Sequence, residues 1–254
     1  MSFTAKKSLS SVSRAIVVTA ALAICAAGAS PFFAATRVHS TSRSWAPDKK
    51  SAGLTPDKGK FKILVNGQPA GKEEFEISAS GANWVAHGNS EIQTPQGATK
   101  ITGSLTARAD GTPEHYDWST QGAKKASAAI AFNADVATAE LHMDGARPYT
   151  QQFTFNSPNV VILDDNMYHQ YQILANLYDM DKKGAQTFAV LVPQELTPGN
   201  VTVEWMGKQD VDNKKMEALR VRTEDNEIDL YLDGSKLMRL VAPAANAEVI
   251  RENN

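Results

Sequence analysis

A chain of 254 residues with 42% hydrophobic residues is long enough to bury a real core, and all-β domains of this length often remain undivided. Its 26 basic and 28 acidic residues nearly balance, and removing the three bases of the first 29 residues leaves 23 against 28, a net of −5. That balance argues against nucleic acid as a partner.

Lys6, Lys7 and Arg14 precede an uncharged run from Ala15 to Ala27 that gives way to Gly28, Ala29 and Ser30. A short apolar core behind a basic start, closed by the small-x-small site Ala27-Gly28-Ala29, predicts a signal peptide over residues 1–29 and a mature chain starting near Ser30. The expected location is the periplasm or cell envelope. Cys25 is the sole cysteine, and Leu22-Ala23-Ile24-Cys25 partly matches a lipoprotein cleavage box. The branched Ile24 obstructs that cleavage, so Cys25 reads as one more apolar residue of the leader, and the mature chain is left without a disulfide. No second apolar stretch approaches spanning length, so no transmembrane span is expected in the mature chain.

Residues 30–57 are rich in Ser, Thr, Ala, Pro and Lys, lack periodicity and read as a flexible tether. From residue 58 to 254 the pattern predicts a single β-rich domain. Phe61, Ile63 and Val65, then Phe75 and Ile77, alternate with polar residues on either side of Asn66-Gly67, which is the signature of a hairpin. Turn pairs recur at Ser80-Gly81, Gln96-Gly97, Asp110-Gly111, Gln121-Gly122, Asp144-Gly145, Pro198-Gly199 and Asp233-Gly234. Between them, alternation predicts strands over 84–90, 99–107, 114–119, 125–132, 136–143 and 149–155. Others are expected over 186–192, 201–206, 218–223, 227–232 and 236–241.

One segment departs from period two. Met167, Tyr171, Leu174 and Tyr178 recur at helical spacing, with Asp164 and Asp165 ahead and Lys182, Lys183 and Gly184 behind, so an amphipathic helix is predicted over 166–179. Its polar face, with Asp165, His169, Gln172 and Asn176, is expected to be solvated. The expected fold is mainly all-β: a large curved antiparallel sheet or half-open barrel with this helix packed on or across it. Clustered alanines, among them Ala128, Ala137 and Ala139, leave room for a second layer or for a ligand.

No catalytic signature is found: no nucleophile elbow, no His-Glu-x-x-His, no phosphate loop and no thiol in the mature chain. No catalytic residue, metal or cofactor is therefore assigned. Asp165 and His169 lie one helical turn apart, a spacing that suits a solvated pair better than a metal site. The residues suited to a half-wet pocket are Tyr168, Tyr171 and Tyr178 on the helix and Trp84, Trp118 and Trp205 on strands.

Three segments carry a resemblance: Phe61-Lys-Ile-Leu-Val-Asn-Gly-Gln-Pro-Ala-Gly-Lys-Glu73, the helix introduced by Asp164-Asp165-Asn166, and Tyr231-Leu232-Asp233-Gly234 with Leu237-Met238-Arg239-Leu240. From Gly59 onward the chain resembles uncharacterised exported bacterial β proteins, domains of unknown function with curved antiparallel sheets. Similar modules precede hydrolase domains in some bacteria. The resemblance implies a bacterial envelope location and carries over no catalytic residue. More distantly, a curved sheet with an inserted helix is similar to the envelope lipoprotein carriers whose open barrels hold acyl chains.

The leading functional expectation is a non-catalytic envelope protein that binds a lipid, glycolipid or acyl-bearing glycan in the concavity of the sheet. One alternative is a structural or interaction module with a protein partner in the envelope. Another is a hydrolase of envelope polymers using sheet carboxylates such as Glu114, Asp117, Glu140 or Glu204.

Overall fold

The computed structural model describes residues 54–252 apart from 123, 124, 158 and 224. The leader, Cys25 and most of the expected tether lie outside the described residues. The chain forms β1 (Asp57–Val65), β2 (Gln68–Ser80), β3 (Asn83–Thr94), β4 (Gly97–Arg108), β5 (Pro113–Gln121), β6 (Ala126–Asn133), β7 (Val136–Met143) and β8 (Tyr149–Thr154). β9 (Val160–Ile162) then leads into α1 (His169–Leu177). After it come β10 (Gln186–Val192), β11 (Thr197–Val211), β12 (Lys214–Arg222), β13 (Glu227–Asp233), β14 (Lys236–Ala242) and β15 (Ala247–Arg251). Every strand expected from alternation is present, and β7 and β10 match to the residue. The helix is shorter than the expected 166–179, and β9 and β15 were not anticipated.

Asn66 and Gly67 both take positive φ, 51° and 72°, as the tight hairpin turn between β1 and β2 requires. All strands join one sheet in the order β8-β7-β6-β5-β4-β3-β2-β1-β15-β14-β13-β12-β11-β10-β9. Neighbours run antiparallel except β9, which is parallel to β10. The parallel pair follows from the connection, because a strand can return in the same direction only through a crossover, and α1 supplies it.

This order dictates curvature. Laid flat, fifteen strands would span roughly 65–70 Å at the usual strand spacing, yet residues 155–159 alone carry the chain from β8 at one edge to β9 at the other. Five residues reach roughly 20 Å at most, so the sheet wraps round until its edges approach. The seam is spanned by a loop and the sheet stays open. At that edge Val160, Val161 and Ile162 are all buried, so β9 is covered on both faces and offers no free apolar edge.

The wrapped sheet encloses α1. Side-chain hydrogen bonds tie its residues to Asp57 on β1, Glu73 on β2, Tyr116 on β5 and the Leu237 backbone on β14. A helix of nine residues, about 13 Å long, meets strands so far apart in the sheet only if it lies in the concavity. Two glycines on inward-facing positions make room for it. A Cβ at Gly88 would stand 2.5 Å from His169 Cε1, and one at Gly103 would stand 2.6 Å from the Tyr116 hydroxyl.

The domain begins earlier than residue 58. Leu54 is buried in the core, and Asp57 opens β1 with a buried carboxylate held bidentately by Arg251 at 2.7 and 2.8 Å. Asp57 and Arg251 thus fasten the two ends of the described chain, where β1 pairs with β15. A chain starting at Lys58 is expected to be about 3–5 kcal/mol less stable to urea than one starting at Leu54, because Arg251 is left buried without its partner. Equal stability of the two truncations would remove this role.

Candidate functional site

The polar face of the helix, read from the sequence as solvated, is buried. His169 is 1% exposed, and Gln170 and Gln172 are fully enclosed. An amphipathic stripe is indeed present, with Met167, Leu174 and Tyr178 in the core, but the opposite face meets sheet and not water. Three ties satisfy His169, Gln170 and Gln172, while the Asn176 amide nitrogen is buried without a partner among the described residues.

Glu73, fully buried on β2, accepts the Tyr168 N–H at 2.8 Å and faces His169 Nδ1 at 2.5 Å. Its carboxylate sits at the positive end of the helix dipole, where two otherwise orphan N–H groups converge, since the His169 N–H also points to it at 3.5 Å. Asp164 and Asp165 stand ahead of the helix, but it is Glu73 that accepts its first N–H groups. The His169 ring stacks on Phe75 with centroids 5.8 Å apart, and Phe75 stacks in turn on Phe61 at 5.0 Å. His169 therefore pairs with Glu73 and not with Asp165, as its helical spacing had suggested.

The second tie runs through Gln170, which donates to the Tyr116 hydroxyl at 3.2 Å and accepts from the Asp164 N–H. Tyr116 donates to Asp164 at 2.8 Å, and the Gln194 N–H donates to the same carboxylate at 3.0 Å. In the third, Gln172 donates to Asp57 at 2.9 Å and accepts the Leu237 N–H at 2.8 Å. Arg251 closes this group over the face of Phe75, 5.3 Å from its centroid.

The residues predicted for a ligand pocket do not converge. Tyr178 is buried, donates to the Gly184 carbonyl and accepts the Trp205 N–H, while the Trp205 indole donates to Glu217 under Lys183. These two meet, as a structural fastening. Trp118 is buried on β5 with its indole N–H unpartnered among the described residues, and Trp84 is half-buried on β3. Tyr168 and Tyr171 are half-buried on and beside the first turn of α1, near Asp165.

Nor do the sheet carboxylates pair with one another. Glu114 holds Asn83 and Arg108, Asp117 meets His115, Glu140 meets His142 and Glu204 meets Arg222. Among the described residues no group of three His, Cys, Asp or Glu side chains is placed to hold a metal ion. No described helix is long and apolar enough to cross a membrane.

The fold resembles a solved one. It superimposes on a crystal structure of a β-barrel-like protein of the domain of unknown function DUF1849 from Brucella abortus with a TM-score of 0.53, covering 79% of this chain and 96% of that one at 8% identity. The likeness is one of fold, a bacterial barrel-like sheet of unknown function, as the three segments of the sequence implied. No family model and no curated protein matches the chain.

Charge in the enclosed cluster is costly, and two carboxyls register that cost. Burial pushes Asp164 up to about 6, although hydrogen bonds from Gln194 and Tyr116 oppose it. Burial, and then the charges of Asp164 and Glu195, push Asp165 up to about 7. Asp57 goes the other way: burial works against its ionisation, but the hydrogen bonds from Arg251 and Gln172 outweigh it and hold the carboxyl low.

Both raised acids bind a proton more tightly in the folded chain than at their ordinary value of 3.8, so the stability they lend is complete below that value and lost as pH rises through about 6 and 7. Asp165→Asn should flatten the fall in stability between about pH 5 and pH 8, measured by urea unfolding at several pH values. An unchanged slope would dissociate Asp165 from it. His169→Ala should cost about 3–5 kcal/mol by leaving Glu73 buried and unpaired, as much as the 2–5 kcal/mol or so expected for Leu174→Ala. A cost near zero for His169→Ala would mean that the helix face is wet after all.

Proposed function

We propose that the chain is a non-catalytic binding module of the cell envelope that works through the outer surface of its barrel-like sheet. The observation that carries this reading is the occupancy of the concavity by α1. A ligand seated there would displace a helix fastened by Glu73, Tyr116 and Asp57, and would strand buried charges that cost several kcal/mol each. Two depressions among the described residues lie elsewhere, one across the outer faces of β3–β7 and one beside the β1–β2 turn.

One observation favours a second reading, the amphipathic ligand expected from the sequence. The Tyr171 hydroxyl has no hydrogen-bond partner among the described residues, and with Tyr168 and the proton-binding Asp165 it forms an amphipathic rim at the N-terminal end of α1. A lipid headgroup or acyl chain would then touch the rim without entering the concavity.

Native mass spectrometry and lipid extraction of the protein purified from its own host separate the two. The module reading expects the mass of the polypeptide from near Ser30 with no acyl lipid. A stoichiometric lipid lost on Tyr171→Ala would overturn it in favour of the rim.

A further inference from the structure

The outer face of the sheet is divided by chemistry. Across β1–β3 and β11–β15 it is laced with ion pairs, among them Lys60 with Glu74, Lys72 with Glu91, Arg220 with Asp229 and Arg222 with Glu204. Across the middle of β3–β7 the sheet carries a groove of about 430 Å³ whose outward side chains are mostly short and uncharged, with the pairs Arg108–Glu114, His115–Asp117 and His142–Glu140 on the same strands.

The register of the strands sets one row of hydrogen-bonding side chains along that groove. Asn89 on β3 stands opposite Thr102 on β4, Thr102 opposite Ser119 on β5, Ser119 opposite Ser127 on β6 and Ser127 opposite His142 on β7. Thr102 and Ser119 hydroxyls are already joined at 2.8 Å. Five adjacent strands put a donor or acceptor every ~4.8 Å over roughly 19 Å. In the neighbouring row His87, Ser104 and Asp117 border the groove, and the carboxylate of Asp117 is engaged by His115 at 2.9 Å.

We infer that this row is a binding site for an extended, neutral, β-linked glycan lying across the strands, an assignment that rests on the outer-surface reading above. Three properties of the row select that occupant. Hydroxyl, amide and imidazole groups match a polyol, which both donates and accepts along its whole length. The lining carries little net charge, so an anionic chain gains nothing from it, and Trp118, its one aromatic residue, is only 6% exposed beneath the floor, so the large exposed anchors that a peptide interface is built around are missing from the lining. The strand spacing is close to the length of one pyranose unit in an extended β-linked chain, so successive sugars meet successive strands in register.

The test is a two-dimensional amide NMR titration of the described domain within the full mature chain, using chitotetraose and cellotetraose as extended probes and maltotetraose as a curved α-linked control. Saturating shifts at the amides of Asn89, Thr102, Ser119 and Ser127 are expected with at least one extended probe, with maltotetraose weaker by about tenfold or more. Ser119→Arg, which fills the row from an outward position, should abolish the shifts while leaving the thermal midpoint and far-ultraviolet dichroism unchanged. Should that variant lose its fold, Thr102→Val takes its place and should weaken binding by about tenfold for a lost hydrogen-bonding group. Absence of saturation, shifts confined to other surfaces, indifference to both substitutions, or saturation of the same amides by an uncharged Ser/Thr peptide and not by sugars would each overturn the assignment. A lipid found in the mass spectrum would instead strike the outer-surface reading, and the two failures are therefore distinguishable.

Discussion

A helix enclosed by a wrapped sheet has no wet face, and most of this structure answers to that constraint. On an ordinary surface helix His169, Gln170 and Gln172 would need only water. Inside the sheet each must find a partner from the protein, since an unmet buried polar group costs about 1–3 kcal/mol and a charged one more. The partners come from strands that are remote from one another in the chain: Glu73, Tyr116 and Asp57. Each tie is therefore both a satisfied hydrogen bond and a long-range staple, and together they hold the helix in one rotation and one depth.

The sheet pays in side-chain volume for what it encloses. Gly88 and Gly103 lie directly opposite each other on β3 and β4, and one receives the His169 ring while the other receives the Tyr116 hydroxyl. On β6 and β7, Ala128, Ala137 and Ala139 are buried with nothing larger than a methyl group to offer, which suits close approach of another layer. At the two glycines the space is taken by atoms of the protein itself, the His169 ring and the Tyr116 hydroxyl. The parallel β9–β10 pair belongs to the same solution, for only a crossover through the concavity both delivers α1 and returns the chain to the free edge.

Period-two alternation made the strands legible because each has one face on the core, and the Asn66-Gly67 turn set the first register. What escaped has physical reasons. β9 has three residues, all apolar, so it shows no alternation, and β15 is too short to rise above its surroundings. The error over the helix is more instructive: reading an amphipathic stripe assumes that the other face meets water, which fails inside a barrel-like sheet. A signal was present in the strands. Glu73 falls in phase with Phe75 and Ile77, and Asp57 in phase with Phe61 and Ile63, so both carboxylates stood on inward positions. A charge in the apolar phase of a strand calls for a buried partner, and a helix with His and Gln opposite its stripe is the natural supplier. The six aromatic candidates were drawn from residue type alone, which says nothing of convergence, and the structure disperses them.

Inner and outer faces consequently carry different burdens. Inward positions are committed to the helix, and substitutions there act on stability, since buried charges and close glycine contacts leave little slack. Outward positions are free of that commitment. On β1–β3 and β11–β15 they are spent on ion pairs between exposed side chains, which contribute little stability individually and mainly keep the surface solvated. On β3–β7 such pairs continue at Arg108–Glu114, His115–Asp117 and His142–Glu140, but between them the row Asn89, Thr102, Ser119 and Ser127 consists of short hydroxyl and amide side chains that leave the backbone close to the surface. Packing does not demand that choice, because the inner face would be filled equally well beneath a charged exterior. The row of short polar side chains therefore lies on the face that the enclosed helix leaves available, and the packing of the inner face does not account for it.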